Sequence, residues 1–346
     1  MLTTVLYVVL AILLVTTLYV VVRTLRFAWR QRAVVPVEGI PVDGDCVAEH
    51  LAAAIRCQTV PLDDKGTPDP EAFAQLHQML EQTYPLVHRS LKREVINGFS
   101  LLYTWEGTQP DLEPVMVMAH QDVVSADPAS LDQWTYPPFE GRIAGGFIWG
   151  RGTLDIKNQL IGIMEAAEVL LARGFRPERT ILFGLGHDEE TGGVNGCMED
   201  NTIPSEAKAT VNFRLLPGDT IAEVLERAAK IIDDERVTIT PVPGKFNEAL
   251  PVSPDSGPAY EGLKQVIREL FANPPVAPFV MLGGTDCQHF LAVCDHIYRF
   301  TSLVMDASFM GLEHGIDERI PVQGMSKMVQ FYARLMQVWG VSQSTA

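Results

Sequence analysis

Histidine and acidic residues that can bind a divalent metal ion recur at four separated places in the chain. In chain order they are His120 with Asp122, then Asp155, the adjacent pair Glu189 and Glu190, and His314. Imidazole nitrogen and carboxylate oxygen, without thiolate, suit a hydrolytic Zn²⁺ or a similar divalent ion. The residue types therefore predict the metal site of a metallohydrolase.

Each of these residues also has a simpler interpretation. A His-x-Asp sequence after a strand is often a turn with a surface acid, but here Asp122 is placed to orient the ring of a metal-binding His120. Asp155 precedes a helix start, where it would serve as an N-cap, and the two roles are compatible. Glu189 and Glu190 would repel each other on one loop. A divalent ion removes that objection by taking one as a ligand and leaving the other as a general base.

Short apolar runs precede two of these places and predict the strands that position them. The runs cover Val115–Ala119, directly before His120, and Thr180–Leu185, before the Glu189–Glu190 pair. Strands of an open α/β sheet bring the loops at their carboxyl ends to a common crevice. Helical periodicity predicts helices over 45–55, 70–84, 159–173, 259–272 and 325–338. Residues 207–216, 221–233 and 237–242 predict a strand, a helix and a strand, the size of a small βαβ unit.

Composition limits the classes of partner and of covalent framework. The formal net charge of the 346 residues is -16, which repels phosphate backbones and argues against nucleic acid as a partner. The cysteines form no C-x-x-C pair and are odd in number, which indicates neither a thiolate zinc site nor a full disulfide framework. They are Cys46, Cys57, Cys197, Cys287 and Cys294. We expect them to be small core residues.

The N-terminus predicts a membrane helix. Residues 2–22 carry no charge, and a helix of that length spans the roughly 30 Å of bilayer hydrocarbon. A cleaved signal peptide is the alternative, but there is no basic region before the apolar run and no small-x-small cleavage pattern after it. Arg23, Arg26, Arg30 and Arg32 follow, so the positive-inside rule favours a cytoplasmic globular part, although a single helix leaves the side of the membrane open. Residues 34–45 are predicted to be a linker.

Six ordered motifs together resemble the aminoacylase and carboxypeptidase S family of dinuclear zinc peptidases, especially its membrane-anchored N-acyl-amino-acid branch. They are His120-x-Asp122, Gly150-Arg-Gly-x-x-Asp155-x-Lys157, Asp188-Glu-Glu-x-Gly-Gly193, Pro217-Gly-Asp219, Gly283-Gly-Thr-Asp286 and His314-Gly-x-Asp-Glu318. The resemblance implies an α/β catalytic domain with an inserted ferredoxin-like lid. It also implies two zinc ions bridged by Asp155, with His120 on one ion and Glu190 and His314 on the other. The same resemblance implies that Glu189 is the general base and acid and that Asp122 supports catalysis. By the same resemblance the substrate is held by Asn201, Arg214, Gly284 and Thr285.

The chain departs from this family pattern after Asp200. Relatives carry a further acidic metal ligand and the first half of the lid before the Asn-x-Ile-Pro segment, whereas here Asp200 is followed directly by Asn201-Thr-Ile-Pro. The predicted lid is therefore truncated. His120 and Asp155 alone leave one ion short of a ligand, and Glu199 or Asp200 is a candidate replacement. The predicted division is a transmembrane anchor with its basic flank over 1–32, catalytic domain over 45–200 and 251–340, and residual lid over 201–250.

Two functions of different classes follow. The first is zinc-dependent hydrolysis of an amide bond next to a free carboxylate, in N-acyl amino acids or small peptides. The second is a catalytically impaired deletion form that stays at the membrane as a binding partner, pairing with other subunits through its half lid, which an unpaired sheet edge would favour. A homo-oligomer through the lid is the corresponding expectation for the first function.

Overall fold

The computed structural model describes residues 2–31, 34–63, 66–190, 211, 213–241, 247–281, 283–309 and 311–341. Its helices are α1 Leu2–Arg30, α2 Gly44–Arg56, α3 Pro70–Thr83, α4 Pro85–Ser90, α5 Lys157–Ala172, α6 Ile221–Ile232, α7 Pro258–Leu270 and α8 Val322–Trp339. Its strands are β1 Lys92–Ile96, β2 Ser100–Trp105, β3 Val115–His120, β4 Arg142–Ala144, β5 Phe147–Trp149, β6 Ile181–Gly186 and β7 Arg319–Pro321. The predicted helices of the catalytic part are present, with ends shifted by up to three residues.

Helix α1 contains one stretch, Thr4–Trp29, that is long and apolar enough to cross a membrane, and none of it is buried against the rest of the chain. The segment that follows is not a free linker. The backbone N–H of Val37 donates a hydrogen bond to the carbonyl of Glu269 on α7. The side-chain amide of Gln330 on α8 donates a hydrogen bond to the carbonyl of Ile40. Ile40 and Val42 also pack against the core. The predicted linker is therefore held along the catalytic part.

The main sheet is mixed and has the strand order β1-β2-β6-β3. Strands β1, β2 and β6 are antiparallel neighbours, whereas β3 runs parallel to β6, with His120 opposite Gly186. Parallel pairing brings the carboxyl ends of β3 and β6 to the same edge of the sheet. The predicted placement of their two loops beside each other is thereby confirmed.

Helix α5 packs on this sheet through β3, and α2 and α8 pack on α5 and on the short strands β4, β5 and β7. Helix α5 contacts α2, α4, α8 and β3, and α8 also packs against α2 and α7. The central helix is buried on most of its surface, because it lies between the sheet and the other helices. Lys157 at its start is fully buried and donates to the carbonyls of Ala54 and Cys57 at the end of α2. A cation at a helix C-terminus offsets the unpaired carbonyls there and ties the two helices together.

A second, antiparallel sheet has the strand order β4-β5-β7. Strand β7 follows the His314 segment directly, and β5 is followed at once by the Gly150–Asp155 segment. Pairing between Trp149 and Arg319 therefore fixes the position of these two segments relative to each other. The small sheet therefore holds the segment of Asp155 beside the segment of His314.

The predicted βαβ lid is not confirmed. Helix α6 is present, but the described residues before and after it, 213–216 and 237–241, form no strand, and the rest of both predicted strands lies outside the described residues. A strand needs a hydrogen-bonding neighbour, and the described part of this region provides none. No residue of α6 is buried, and Ile231 and Ile232 are exposed.

The prediction that the cysteines are core residues is correct for Cys57 alone among those described. Cys57 is buried, Cys287 is half-buried, and Cys46 and Cys294 are exposed. Cys197 lies outside the described residues. Composition does not distinguish an apolar core position from a helix surface, so the error arises where a cysteine lies on the outer face of its element.

Candidate metal centre

The metal-binding residues of the sequence converge at the carboxyl edge of the main sheet. His120 is the last residue of β3, and Glu189 and Glu190 follow β6. Asp155 comes from the loop between β5 and α5, and His314 from the loop before β7. Four chain segments that are far apart in sequence therefore supply one site.

Asp155 lies between the two histidines. Its Oδ1 is 3.0 Å from Nε2 of His120, and its Oδ2 is 3.0 Å from Nε2 of His314. Its side chain does not cap α5, which begins at Lys157 after Ile156 and has no side-chain cap. The N-cap interpretation of Asp155 is therefore wrong, because both carboxylate oxygens are directed at the imidazoles. Hydrogen bonds to these imidazoles hold the pKa of Asp155 below its usual range despite burial, which opposes the shift.

Asp122 connects His120 to the loop that carries the two glutamates. Nδ1 of His120 is 3.0 Å from the carbonyl oxygen of Asp122 and 3.4 Å from its Oδ1. The other carboxylate oxygen, Oδ2, accepts the backbone N–H of Glu190 at 2.9 Å. A proton on Nδ1 satisfies the carbonyl oxygen of Asp122, with Oδ1 close by, and leaves Nε2 free as a metal ligand. The predicted orienting contact between Asp122 and the His120 ring is present.

Glu189 is suited to accept a proton near neutral pH. Its Oε2 lies 3.8 Å from Nε2 of His120, so the carboxylate faces the site. Burial raises the pKa of Glu189 to about 7, and His120 opposes that rise. A general base works best when its pKa is close to the operating pH. Glu189 therefore has both the position and the basicity for this role.

A buried ion pair that sequence reasoning missed holds two of the loops. Nη1 of Arg151 donates to Oε2 of Glu318 at 2.5 Å, and Nη2 donates to the carbonyl of His314 at 3.1 Å. Oε1 of Glu318 accepts the backbone N–H groups of Gly152 and Leu154 at 3.0 and 2.7 Å. Glu318 is fully buried and Arg151 nearly so. The pair thus joins the loop of Asp155 to the loop of His314.

Arg151→Met is expected to lower the free energy of unfolding by about 3–5 kcal/mol, because it leaves Glu318 buried without its charge partner. Urea unfolding followed by circular dichroism measures the change. Lys230→Met is the matched control, since its pair with Glu226 is exposed and is worth about 0–1 kcal/mol. Equal losses in the two variants would remove the structural role assigned to Arg151.

The donors present form two overlapping groups, each of which could hold a metal ion. Among the described residues, two groups of three ligand atoms each lie within 4.8 Å of one another: His120, Asp155 and Glu190, and Asp155, Glu313 and His314. Oε1 of Glu190 is buried and 3.2 Å from Nε2 of His314, yet it makes no hydrogen bond, so the two atoms are not directed at each other. Buried carboxylates without partners cost free energy that a cation offsets. Glu313 was not predicted, although it directly precedes His314 in the sequence.

The metal-free protein is expected to become less stable as the pH rises. The hydrogen bond to Asp155 and the nearby carboxylate of Glu190 raise the pKa of His314 to about 10. This histidine therefore stabilises the fold fully below its unfolded pKa of about 6.5, and that contribution is lost as the pH rises through about 10. The contribution of Glu189 to the free energy of unfolding also falls as the pH rises. It falls between the pKa of an unfolded glutamate and the value of about 7 in the fold.

The melting temperature of EDTA-treated protein, measured from pH 5 to pH 8, tests this expectation, because the buried Lys157, with its pKa lowered to about 8, opposes the trend at higher pH. Added zinc should flatten the profile, because a metal ion replaces the proton on His314 and binds more tightly as the pH rises. His314→Gln should have a shallower profile than the unmodified chain. A melting temperature that rises with pH in the metal-free protein would contradict the assignment.

The residues predicted to bind substrate are described only in part. Asn201, together with Glu199 and Asp200, lies outside the described residues. Arg214 is exposed, and within the described residues no hydrogen bond or ion pair joins it to the metal-binding side chains. Gly284 is exposed with open space around it, and the hydroxyl of Thr285 caps the short helix that starts at Asp286.

The Gly283–Asp286 loop reaches the edge of the main sheet. A Cβ at Gly186 would lie 2.6 Å from Oδ2 of Asp286, so only glycine allows the carboxylate to approach the end of β6 this closely. Burial raises the pKa of Asp286, and the charge of His120 opposes that rise. The loop that contains Gly284 and Thr285 is thereby placed beside the candidate metal centre.

Comparison with known proteins identifies relatives over most of the chain. The model of Peptidase family M20/M25/M40 matches residues 116–338. "Probable carboxypeptidase S-like 2" of Dictyostelium discoideum is 25% identical to this chain. The alignment covers 92% of this chain and 91% of the relative. "N-fatty-acyl-amino acid synthase/hydrolase PM20D1" of Xenopus tropicalis is 28% identical, and the alignment covers 84% of this chain and 85% of the relative. The first alignment runs over 476 residues, more than the 346 of this chain, so the relative contains long segments with no counterpart here.

The fold is shared with solved structures. The M20 family metallo-carboxypeptidase of Sulfolobus solfataricus superimposes with a TM-score of 0.61 over 85% of this chain and 99% of its own, at 12% sequence identity. Identity at this level supports the fold alone. The α/β architecture implied by the motifs is thereby confirmed for the catalytic part.

Proposed function

The chain belongs to Peptidase family M20/M25/M40, and from that premise we propose that it hydrolyses an amide bond adjacent to a free carboxylate, in N-acyl amino acids or small peptides. The names of its relatives, a probable carboxypeptidase S-like protein and an N-fatty-acyl-amino acid synthase/hydrolase, support this substrate class, because both activities cleave such a bond. The single observation that carries the proposal is the position of Asp155 between two imidazoles, with Glu189 facing them.

Two zinc ions are the proposed cofactors, with Asp155 shared between them. His120 would hold one ion, and Glu190 with His314 the other, while Glu313 is placed to add a further oxygen. When bound, such ions polarise a carbonyl and lower the pKa of water. Asp122 holds the His120 ring so that its Nε2 faces the site.

Glu189 is proposed to take the proton from the attacking water and to pass it to the leaving nitrogen. Its raised pKa supports both steps, because a carboxyl group that titrates near neutral pH can accept and return a proton. Arg214 is proposed to pair with the substrate carboxylate as a bidentate fork, with Asn201, Gly284 and Thr285 lining the same subsite. Arg214 is exposed on the segment before α6 and is therefore accessible to a carboxylate.

The proposal is tested by measuring release of the amino acid from a series of N-acyl amino acids and dipeptides, with zinc content determined on the same sample. We expect turnover that requires the free carboxylate, so that the corresponding amides are poor substrates. Turnover of the amides at an equal rate would contradict the substrate class. No turnover by a chain that holds two zinc ions would contradict the activity.

His314→Ala is expected to remove the zinc ion that Glu190 and His314 would hold, because the carboxylates left at that position are a poor set of zinc ligands without an imidazole. Zinc per chain after dialysis measures the effect. His289→Ala, which removes an exposed histidine from the short helix after Thr285, is the control and should leave the content unchanged. Unchanged zinc in His314→Ala would remove this residue from the site.

Helix α1 is proposed to anchor the chain in a membrane. Its full exposure and apolar surface support the proposal, since a helix of this composition in water would expose a large apolar area. A cleaved signal sequence is the alternative. Carbonate extraction of the expressed protein, with N-terminal sequencing of the mature chain, distinguishes the two.

A catalytically impaired form that acts as a binding partner is the second candidate, and the surface of α6 favours it. Leu225, Ala229 and Ile232 of this helix, with Val237 and Ile239 after it, line a groove that Glu226 and Asp234 also border. A partner subunit would cover such a surface. One zinc ion or none per chain, no turnover of any N-acyl amino acid, and association with a full-length relative would together support this candidate.

A further inference from the structure

A second cluster of reactive groups lies outside the metal centre, between helices α2 and α5. Cys46 and His50 are one turn apart on α2, and Sγ of Cys46 is 3.6 Å from Nε2 of His50. Nδ1 of His50 makes a short contact with Oε1 of Glu165 on α5. Residues four apart on a helix share one face, which is why the thiol and the imidazole meet.

The buried carboxylate orients the imidazole. Glu165 is almost fully buried, and its Oε1 also accepts the hydroxyl of Tyr84 at 3.1 Å. A carboxylate accepts hydrogen bonds only, so the His50 proton lies on Nδ1 and the lone pair of Nε2 is directed at the thiol. Nucleophile, base and orienting acid thus stand in the order that activates a hydroxyl or thiol in hydrolases.

The thiol of this cluster is accessible. Cys46 is exposed, and it opens onto a shallow groove with Asp43, Asp45, Glu49 and Ile143. Burial of the sulfur and the charges of Glu165 and Asp43 raise its pKa, so the group is a neutral thiol at pH 7 that needs a base to react. The three carboxylates of the groove disfavour an anionic reagent, and Ile143 supplies one apolar wall.

We propose that Cys46 is a covalent modification site at which His50, oriented by Glu165, activates the thiol toward neutral electrophiles of the α,β-unsaturated carbonyl class. The S–H proton passes to Nε2 of His50 while the sulfur lone pair forms a bond to the β carbon. The π electrons of the C=C bond move to the α carbon, which then takes the proton back from the imidazolium. The reaction is an addition, with no leaving group and no oxidant.

The test measures the rate at which N-ethylmaleimide labels each cysteine of the full chain, by mass spectrometry of its peptides. Cys294 is the internal control, because it is exposed and its sulfur lies 3.6 Å from the carbonyl of His296 rather than beside an imidazole nitrogen. Cys57 is buried and reports unfolding. We expect Cys46 to react at least about tenfold faster than Cys294 at pH 7, since a positioned base contributes at least that much.

Two variants assign the rate to the cluster. His50→Gln keeps an N–H for Glu165 but removes the base, and Glu165→Gln keeps the packing but removes the orienting charge. Each should lower labelling of Cys46 by about tenfold or more with Cys294 unchanged. If Cys57 becomes reactive in one variant, that variant has unfolded and the other decides. Labelling of Cys46 at the rate of Cys294 in the unmodified chain, or at the unmodified rate in a folded variant, overturns the proposal.

Discussion

Glu189→Gln is expected to lower the rate of hydrolysis by about 10²–10⁴-fold while leaving bound zinc in place, because an amide cannot accept the proton of the attacking water. The substitution keeps the size of the side chain, and the carboxylate of Glu189 lies 3.8 Å from Nε2 of His120, farther than the oxygens of Asp155. The ligand atoms should therefore stay where they are. Steady-state rates with an N-acyl amino acid, and zinc content on the same sample, measure the two effects separately.

Glu190→Gln is the matched variant one residue along the chain. Glu190 belongs to a group of three possible ligands, so this change should lower zinc content as well as rate. Full activity in Glu189→Gln would exclude it as the base. Loss of metal in Glu189→Gln and retention in Glu190→Gln would mean that the two adjacent glutamates have been given each other's roles.

Elements with a strong apolar pattern could be predicted from the sequence. Strands β3 and β6 are buried apolar runs, and the helices of the catalytic part keep a regular apolar face. Strand β1 could not be recognised, because Lys92–Ile96 is an edge strand whose side chains are mostly exposed and show no alternation. Strands β4, β5 and β7 have three residues each, which is too short for any period to appear.

The side chains of the candidate metal centre could be grouped from the sequence because their types are unusual in combination, whereas their supports could not. Arg151 and Glu318 are 167 residues apart in the chain, and only the fold brings them together. Each is an ordinary charged residue when considered alone. The partners of Glu165 could not be predicted either. The helical pattern places Glu165 in the core, but it does not reveal that His50 and Tyr84 supply its hydrogen bonds.

Competition between two local roles limited the prediction for Asp155. A carboxylate just before a helix is a good N-cap, and sequence alone cannot decide between capping and metal binding. Two imidazoles contributed by distant segments outweigh one backbone N–H, because each hydrogen bond of a charged group contributes about 1.5–3 kcal/mol and the imidazoles supply two of them. The helix start is left without a side-chain cap as a result.

Insertion of the corresponding segment of a relative between Asp200 and Asn201 is expected to raise activity at least about a hundredfold and to make the chain more stable. A missing metal ligand costs several kcal/mol of transition-state stabilisation, and a hundredfold in rate corresponds to about 2.7 kcal/mol. Long segments of the Dictyostelium relative have no counterpart in this chain. In addition, no residue of α6 is buried. Both observations support a missing portion of lid and ligand set.

The control is an insertion of the same length made of glycine and serine at the same junction, which restores neither an acidic ligand nor apolar partners for α6. Hydrolysis of an N-acyl amino acid, zinc per chain and the melting temperature are measured for all three proteins. The relative's segment should bring zinc close to two ions per chain and improve all three values, whereas the control insertion should improve none. If the unmodified chain already matches the restored one in rate and zinc content, the short form is a complete enzyme and its second ion has another set of ligands.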